Sequence, residues 1–450
     1  MRPRRALPAE GALDLAVLRI TVALVLLTTG LVYESLRWSR LPNELRVPPY
    51  GFGWIATHVP IDERTASFAL GVFLANCVSG LFGFQTRWSF GLVTVVGVYL
   101  LGIPQLSGTA QHVHHLLWLS ALLAVSPCDD ALSLASFRGP ARTYAPSPAY
   151  GVPLTFARVL IAFVFFFPGV WKLRESGLAW VTGDNLRNLM WLKWFQAGAL
   201  PLLRIDRSAA LCHALAACAV VFELAFLPLV SFRKARPLLV ACALAFHLFT
   251  GVFLHIHFSA LWWCYVVFID WSAVARRLAP GPLGSGATEP ITPVVRRRAG
   301  APVMVVGIGL LVGAAWCGAR GIVQGWPFAC YPTFQYLAPP EIMAIELEAV
   351  RADGSVVAVP PASALDRRRG QLLWALEWTL LARQPADEQA VRGYLALVAS
   401  MSPEAAIELH DARTVRVHRV WYSTAPDDWA RPALRRVLAL ELTPAAAGPS

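Results

Sequence analysis

The stretch RVLIAFVFFFPGVWKL, residues 158–173, decides the fold class. An almost unbroken apolar run leads from one cation, Arg158, to another, Lys172. A helix needs roughly 20 mostly apolar residues to cross the hydrocarbon core of a bilayer, at about 1.5 Å of rise per residue. With the apolar residues that precede it, this stretch predicts a membrane-spanning helix that ends on an amine.

Similar runs fill most of the chain up to residue 323. We place spans at residues 14–34, 66–85, 88–104, 111–127, 153–172, 209–230, 236–256, 258–273 and 302–323. The eighth could instead form one broken or re-entrant element with the seventh. The composition favours the same class, because 56% of the 450 residues are hydrophobic and only 15% are charged. We therefore expect an α-helical polytopic membrane protein with about nine transmembrane helices.

Basic residues predict the orientation of these spans. In a nine-span arrangement one side carries Arg2, Arg4, Arg5, Arg87, Arg138, Arg142, Arg233, Lys234, Arg236, Arg276, Arg277 and Arg296–Arg298. The positive-inside rule makes that side cytoplasmic. We therefore expect a multi-pass cell-membrane protein with its N-terminus in the cytoplasm and its C-terminus on the outer, periplasmic or extracellular, side. The loop between the fifth and sixth spans disagrees, since it carries Lys172, Arg174, Arg187, Lys193, Arg204 and Arg207.

The charge distribution and the cysteine spacing also argue against nucleic-acid binding and against cysteine-based sites. The net charge of +11 comes from cations scattered through short loops rather than along one amphipathic face, so it does not indicate nucleic-acid binding. The eight cysteines show no C-x-x-C or Cys/His finger spacing, and most lie in apolar runs. The cysteines therefore indicate neither a zinc site nor a disulfide framework, and a metal site at the histidines of the fourth span would need further ligands from other helices.

The composition changes near residue 324. We expect a transmembrane domain over residues 1–323, a proline-rich linker over 324–340 and a small extramembrane α+β domain over 341–450. In that domain the pattern predicts a hairpin around RADG (351–354), helices within 369–382 and 388–400, and strands within 406–423. It contains no phosphate-binding loop, dinucleotide fingerprint or nucleophile elbow.

Ionisable groups inside the spans are the candidates for function, because hydrocarbon tolerates them poorly. Lys172 closes the fifth span, and an amine held away from water loses its charge readily and can then act as a base. The alternative is an interfacial lysine whose ammonium reaches water. At the start of the fourth span His112 and His115 lie three residues apart, while His114 points to another side of the helix. Such imidazoles stabilise anions, shuttle protons or simply pack between helices.

Other polar groups are candidates for contacting a ligand. Glu223 and His247 lie mid-span on consecutive helices, where they could pair with each other and so reduce the penalty of burial. Arg158 lies near the start of the fifth span, and His255 and His257 flank the bend after the seventh. Snorkelling or structural pairing is the alternative for each.

The order of several segments resembles the vitamin K-dependent γ-glutamyl carboxylases and the wider bacterial group of horizontally transferred transmembrane (HTTM) proteins. The matching segments are AVLRI, QHVHHLLWL, SPCDDALSL, RVLIAFVFFFPGVWKLRESGLAWVTGD, FEL, AFHLFTGVFLHIHFSALWWCYV and WPFACYPTF. Together they cover roughly residues 10–336. Their order and spacing, rather than any single segment, carry the resemblance.

The resemblance implies a lyase-type reaction and roles for named residues. Lys172 in GVWKL would deprotonate vitamin K hydroquinone, and His114, or His115 if the register slips by one, would stabilise a carbanion or transfer a proton. The oxygenated quinone would take a proton from the γ-carbon of a glutamate, and carbon dioxide would add there. The implied cofactor is reduced vitamin K or menaquinol, with O2 and CO2 as co-substrates and no metal. The implied partners are membrane lipid or quinone and a glutamate-containing peptide or protein on the outer side.

Two classes of function remain open at this point. A quinol-dependent carboxylase or epoxidase predicts that Lys172, His114 and neighbouring polar groups converge on one cavity that opens to the lipid and the outer side. A non-catalytic protein that binds lipid or quinone, or assists assembly, predicts scattered polar groups with local partners. A transporter is a weaker third possibility, since inverted repeats are not evident.

Overall fold

The computed structural model describes residues 8–109, 111–138, 145–278, 300–330, 334–366, 368–382 and 387–443. The helices before residue 330 are α1 (Ala12–Thr28), α2 (Gly30–Trp38), α3 (Gly53–His58), α4 (Glu63–Leu81), α5 (Thr86–Leu100), α6 (His114–Ala124), α7 (Leu134–Arg138), α8 (Pro148–Ser176), α9 (Ala179–Thr182), α10 (Asn185–Ala197), α11 (Ala209–Val230), α12 (Arg236–Phe253), α13 (Ser259–Cys264), α14 (Trp271–Leu278) and α15 (Ala301–Arg320). The later elements are β1 (Glu341–Arg351), β2 (Val356–Val359), α16 (Ala362–Leu365), α17 (Gly370–Ala382), α18 (Glu388–Met401), α19 (Pro403–His410), β3 (Ala412–Ser423) and β4 (Arg435–Leu442). This confirms the predicted helical membrane protein with a small α+β unit.

Seven helical segments within these described ranges are long and apolar enough to cross a membrane. Each of the nine predicted spans contains a helix, but α6 has only 11 residues and α13 continues for just one 3-10 turn, Tyr265–Phe268. At about 1.5 Å per residue α6 is about 16 Å long, roughly half the hydrocarbon thickness. Pro127 follows closely and disfavours a longer helix. The prediction of about nine helices is therefore roughly confirmed, with seven long helices and two short ones among the described residues.

The seventh and eighth predicted spans are separate elements. Helix α12 ends at Phe253, and the chain has no helical geometry again until α13 begins at Ser259. His255 in this connection has a φ angle of 51°, which is incompatible with a continuing right-handed helix. The connection places His255 and His257 at one end of the helical bundle.

Arginine side chains connect several helices and loops near Glu10. The guanidinium of Arg19 is fully buried and donates to carbonyls of the loop after α6 at 2.5–3.2 Å. Glu10 accepts hydrogen bonds from Arg158 Nη1 at 2.9 Å and from Arg233 Nη2 at 3.0 Å. The loop after α6, the start of α8 and the end of α11 therefore lie together at this end of the bundle. Whether this end faces the cytoplasm stays a prediction.

Helix α15 approaches α8 closely because glycines form its inner face. A Cβ atom at Gly307 would lie 2.4 Å from the ring of Phe156, and one at Gly318 would lie 2.2 Å from the ring of Phe167. Neither separation is compatible with a real side chain, so only glycine fits at these positions. The aromatic side chains of α8 fill the space that the glycines leave.

The loop between the fifth and sixth predicted spans, whose cations disagree with the predicted orientation, contains α9 and α10. We call its residues 177–208 the cap. Two of its cations have local acidic partners: Arg187 forms an ion pair with Asp184, and Arg204 pairs with Asp206 at 2.8 Å. The two guanidiniums also lie over tryptophan rings, at 5.0 and 5.5 Å. These contacts stabilise the cap locally, so its positive charges do not need a cytoplasmic location to be accommodated.

Four strands in the described C-terminal residues form an antiparallel sheet in the order β2-β1-β3-β4. The predicted hairpin is confirmed: β1 pairs with β2, and Gly354 in the turn has a φ angle of 84°. Buried side chains alternate along β1 and β3, including Leu347, Ala349 and Val415, and they join a core with α17 and α18. The sheet therefore has one face covered by helices.

Two parts of this unit differ from the expectation. Residues 406–410 belong to helix α19 rather than to a strand, because Ser402 accepts a hydrogen bond from Ala405 N at 3.3 Å and Pro403 begins the first turn. Strand β4 was not predicted, since RRVLALEL lacks alternation between apolar and polar residues. It forms because it completes the sheet beside β3.

Candidate functional site

A cavity of about 360 Å³ lies among α8, the cap, α11 and α12. Its volume falls within the range typical of ligand pockets, roughly 300–1,000 Å³. Most of its wall is apolar, but Lys172 from α8, Glu223 from α11 and His247 from α12 line it together with His112 and His115. The bundle therefore gathers ionisable groups from distant parts of the sequence around one space.

Lys172 and Glu223 form a buried ion pair in the cavity wall. Lys172 is 5% exposed and Glu223 is 3% exposed. The Nζ atom of Lys172 also lies 4.9 Å from the centre of the Trp180 ring, which the cap supplies. A lysine so enclosed is not the interfacial, water-facing residue that its position at the end of a span allowed.

The predicted pairing of Glu223 with His247 is wrong. Glu223 instead pairs with Lys172 because α8 and α11 approach closely at Gly169, where a Cβ atom would lie 2.9 Å from the Cβ of Glu223. His247 shares a hydrogen bond through Nε2 with the hydroxyl of Tyr265. The amine therefore has a carboxylate beside it, a partner that the sequence pattern does not indicate.

One oxygen of this carboxylate is left without a protein partner. Glu223 Oε1 contacts Lys172, whereas Oε2 is buried and accepts no hydrogen bond from any residue that the structure describes. An unsatisfied buried acceptor costs about 1–3 kcal/mol, and more when it is charged. The cavity wall thus presents an acceptor suited to a ligand hydroxyl.

Histidines form a second polar region of the cavity. His115 is buried, and within the described chain neither of its ring nitrogens has a hydrogen-bond partner of good geometry, although the backbone of Ala260 interacts with it. The Nδ1 atom of His247 is likewise buried without a partner among the described residues. The His112 ring packs against that of Phe258 at 5.1 Å. These imidazoles can accept or donate a proton at a ligand.

The remaining predicted residues lie outside the cavity. His114 is buried, but its ring packs against Trp326 at 4.6 Å instead of lining the cavity. Arg158 belongs to the Glu10 ion cluster, 14 residues before Lys172 and so about 21 Å away along α8. His255 and His257 flank Ile256, which does line the cavity. Neither imidazole is itself part of the wall.

Two contributors were not predicted from the sequence. Trp180 in the cap and Tyr265 after α13 contact Lys172 and His247 respectively. Tryptophan and tyrosine near span ends are typical of interfacial anchors, so their positions gave no specific signal. Among the described residues no group of three or more His, Cys, Asp or Glu side chains is arranged to hold a metal ion.

Comparison with known proteins gives a family for the transmembrane part. No curated protein and no solved structure matches the chain. The model of the HTTM domain matches residues 8–271, which is more than half of the chain and includes every polar residue of the cavity. The chain therefore belongs to the HTTM domain family.

Proposed function

We propose that this protein is an integral membrane quinol-dependent enzyme of the carboxylase and epoxidase type. The observation that carries the proposal is the buried Lys172–Glu223 pair, which shares an apolar cavity with His115 and His247. An ion pair of this kind costs several kcal/mol per ion in desolvation. Such a cost in a ligand-sized cavity is typical of functional sites.

The ligand that fits these groups is reduced vitamin K or menaquinol. The bound quinol, oxidised by O2 to its epoxide with release of water, supplies a base strong enough to remove a γ-proton from glutamate, where CO2 adds. The chain itself begins the sequence: Lys172, after passing its proton to Glu223, accepts the proton of the quinol hydroxyl. Before that transfer, Glu223 Oε2 accepts the single hydrogen bond that this hydroxyl can donate, which orients the hydroxyl beside the amine. The apolar wall excludes water that would otherwise protonate the reactive species.

The imidazoles of His115 and His247 contact a different region of the ligand from the one that the Lys172–Glu223 pair contacts. His115, whose ring nitrogens have no hydrogen-bond partner of good geometry within the described chain, donates a hydrogen bond to a developing anion. His247 is held in place by Tyr265 and offers its Nδ1 atom to the cavity. In this proposal His115, rather than the buried His114 behind it, performs the role that the resemblance implies.

A glutamate-containing peptide or protein is the proposed acceptor of CO2. His255 and His257 flank Ile256 in the cavity wall, and the C-terminal unit reaches this connection where Gln371 Nε2 donates to the His255 carbonyl at 3.3 Å. An acceptor approaching from this end would contact the C-terminal unit. This arrangement favours a role for that unit in placing the acceptor.

The decisive assay uses purified protein in nanodiscs with reduced vitamin K or menaquinol, O2, labelled bicarbonate and a glutamate peptide. Quinone epoxide and labelled peptide are measured for the wild type, Lys172→Ala and Lys193→Ala. Lys193 lies in the cap outside the cavity wall and is the matched control. Epoxide should form with the wild type and Lys193→Ala but not with Lys172→Ala. Equal epoxide from wild type and Lys172→Ala would remove Lys172 as the base.

A second candidate function is supported by the same ion pair. A lysine already neutralised by a carboxylate suits a non-catalytic protein that binds lipid or quinone in its cavity. Saturable quinone binding without epoxide from any variant, wild type included, would favour this class over the enzyme.

A further inference from the structure

The cavity reaches the membrane-facing surface between α11 and α12. Cys218 on α11 and Cys242 on α12 line the cavity and are also exposed, as is Ala245. Both helices are among those long and apolar enough to cross a membrane. Nearby side chains on the same surfaces, Val221 and Leu248, are 65% and 64% exposed. An opening here leads to hydrocarbon rather than to water.

Small side chains line this opening. Cys218, Ala219, Cys242 and Ala245 contribute little bulk, so a gap remains between the two helices. The ionisable groups of the cavity, Lys172 among them, lie on buried faces away from these exposed positions. The cavity therefore changes from polar to apolar between its buried wall and its opening.

We infer that this opening is a lateral portal that admits an amphiphile from the bilayer and holds its long isoprenoid or alkyl tail between α11 and α12. The head enters the cavity and meets the polar groups, while the tail remains in contact with lipid. A tail kept in hydrocarbon avoids the unfavourable exposure of its CH2 groups to water. The identity of the head as a quinol rests on the proposed function, but the portal does not.

A photocrosslinking experiment tests the portal on the unaltered protein. A menaquinone analogue with a diazirine in the first isoprenoid unit of its tail is added to the protein in nanodiscs and irradiated, and crosslinked peptides are identified by mass spectrometry. Crosslinks should concentrate on α11 and α12 around Cys218 and Cys242. Unlabelled menaquinone should compete for them. Crosslinks distributed evenly over all lipid-facing helices, including α15, would overturn the portal.

Substitution provides a second test. Cys218→Trp and Cys242→Trp should each fill the opening and reduce crosslinking about tenfold, as expected when the apparent affinity falls by that factor. Val312→Trp on α15, where Val312 is 62% exposed, is the lipid-facing control and should leave crosslinking unchanged. Undiminished crosslinking in both portal variants would also refute the proposal.

The outcomes separate the portal from the proposed reaction. Crosslinks at the portal without any epoxide would retain the portal and remove the enzyme. Epoxide formation with crosslinks outside α11 and α12 would retain the enzyme and remove the portal. A head-only compound, 2,3-dimethyl-1,4-naphthoquinone, should compete less well than menaquinone, since it lacks the tail; equal competition would count against the portal.

Discussion

Replacing either member of the Lys172–Glu223 pair should destabilise the protein far more than replacing both. In Lys172→Met the buried Glu223 loses its cation and takes up a proton instead of remaining charged. Keeping an ordinary glutamate protonated at pH 7 costs about 3.7 kcal/mol, because the pKa of a glutamate in solution lies about 2.7 pH units below 7. This figure agrees with the roughly 3–5 kcal/mol typical of breaking a buried ion pair, and Glu223→Gln should cost an amount in the same range because it leaves Lys172 without its carboxylate.

The double variant Lys172→Met/Glu223→Gln removes both charges and should recover most of this loss. Denaturant unfolding in bicelles at pH 7 should therefore give an interaction energy of about 3 kcal/mol or more. Lys193→Met is the control outside the cavity and should cost less than about 1 kcal/mol. The loss of unfolding free energy caused by Lys172→Met should also shrink by about 1.4 kcal/mol per pH unit between pH 7 and pH 5. The reason is that the folded variant holds a proton on Glu223 that the unfolded chain does not hold in this range. Additive single effects, or a deficit that does not change with pH, would refute the pairing.

Three other substitutions test separate parts of the structure. Burial raises the pKa of Glu377 despite its hydrogen bonds from Ser363 and Tyr394. The contribution of Glu377 to the free energy of unfolding should therefore decline as pH rises from about 4 through the raised pKa. Glu377→Gln should abolish this pH dependence in unfolding measurements. Arg19→Met leaves several buried carbonyls without their donor and should cost about 3 kcal/mol or more in unfolding free energy, whereas a cost below about 1 kcal/mol would contradict the buried contacts. Gly169→Ala should separate α8 from α11 and reduce epoxide formation more than Gly309→Ala, which meets no neighbouring atom; equal activity of the two variants would show that this close approach is unimportant.

The sequence predicted the membrane-spanning elements well because their signal is local. An apolar run of sufficient length must be helical in hydrocarbon, whatever surrounds it. The partner of Lys172 was not predictable in this way, since it depends on how α8 and α11 meet. Gly169 determines that approach, and a glycine in an apolar run gives no indication of which helix lies against it. The hydrophobic pattern thus locates the helices but not their contacts.

The histidines of the fourth span also show that the sequence pattern does not identify the contacts between helices. His112 lies just before α6, which begins at His114, so the assumed helical spacing does not apply to it. His112 and His115 line the cavity, whereas His114 packs against Trp326. The spacing does not tell which side of the helix faces the ligand. The family resemblance pointed first to His114, and only the packing of the bundle distinguishes it from His115.

The carboxylate of Glu223 argues for a ligand more strongly than the ion pair does. Folding alone would favour a partner for both oxygens, because each unsatisfied buried acceptor costs about 1–3 kcal/mol. Glu223 nevertheless keeps Oε2 without a donor from any described residue, in the wall of a ligand-sized cavity. A hydroxyl that donates to Oε2 satisfies this acceptor and lies beside the amine that accepts its proton in the later step. A quinol has such a hydroxyl and its oxidised quinone does not, so the site should bind the reduced form more tightly, which competition between the two forms can measure.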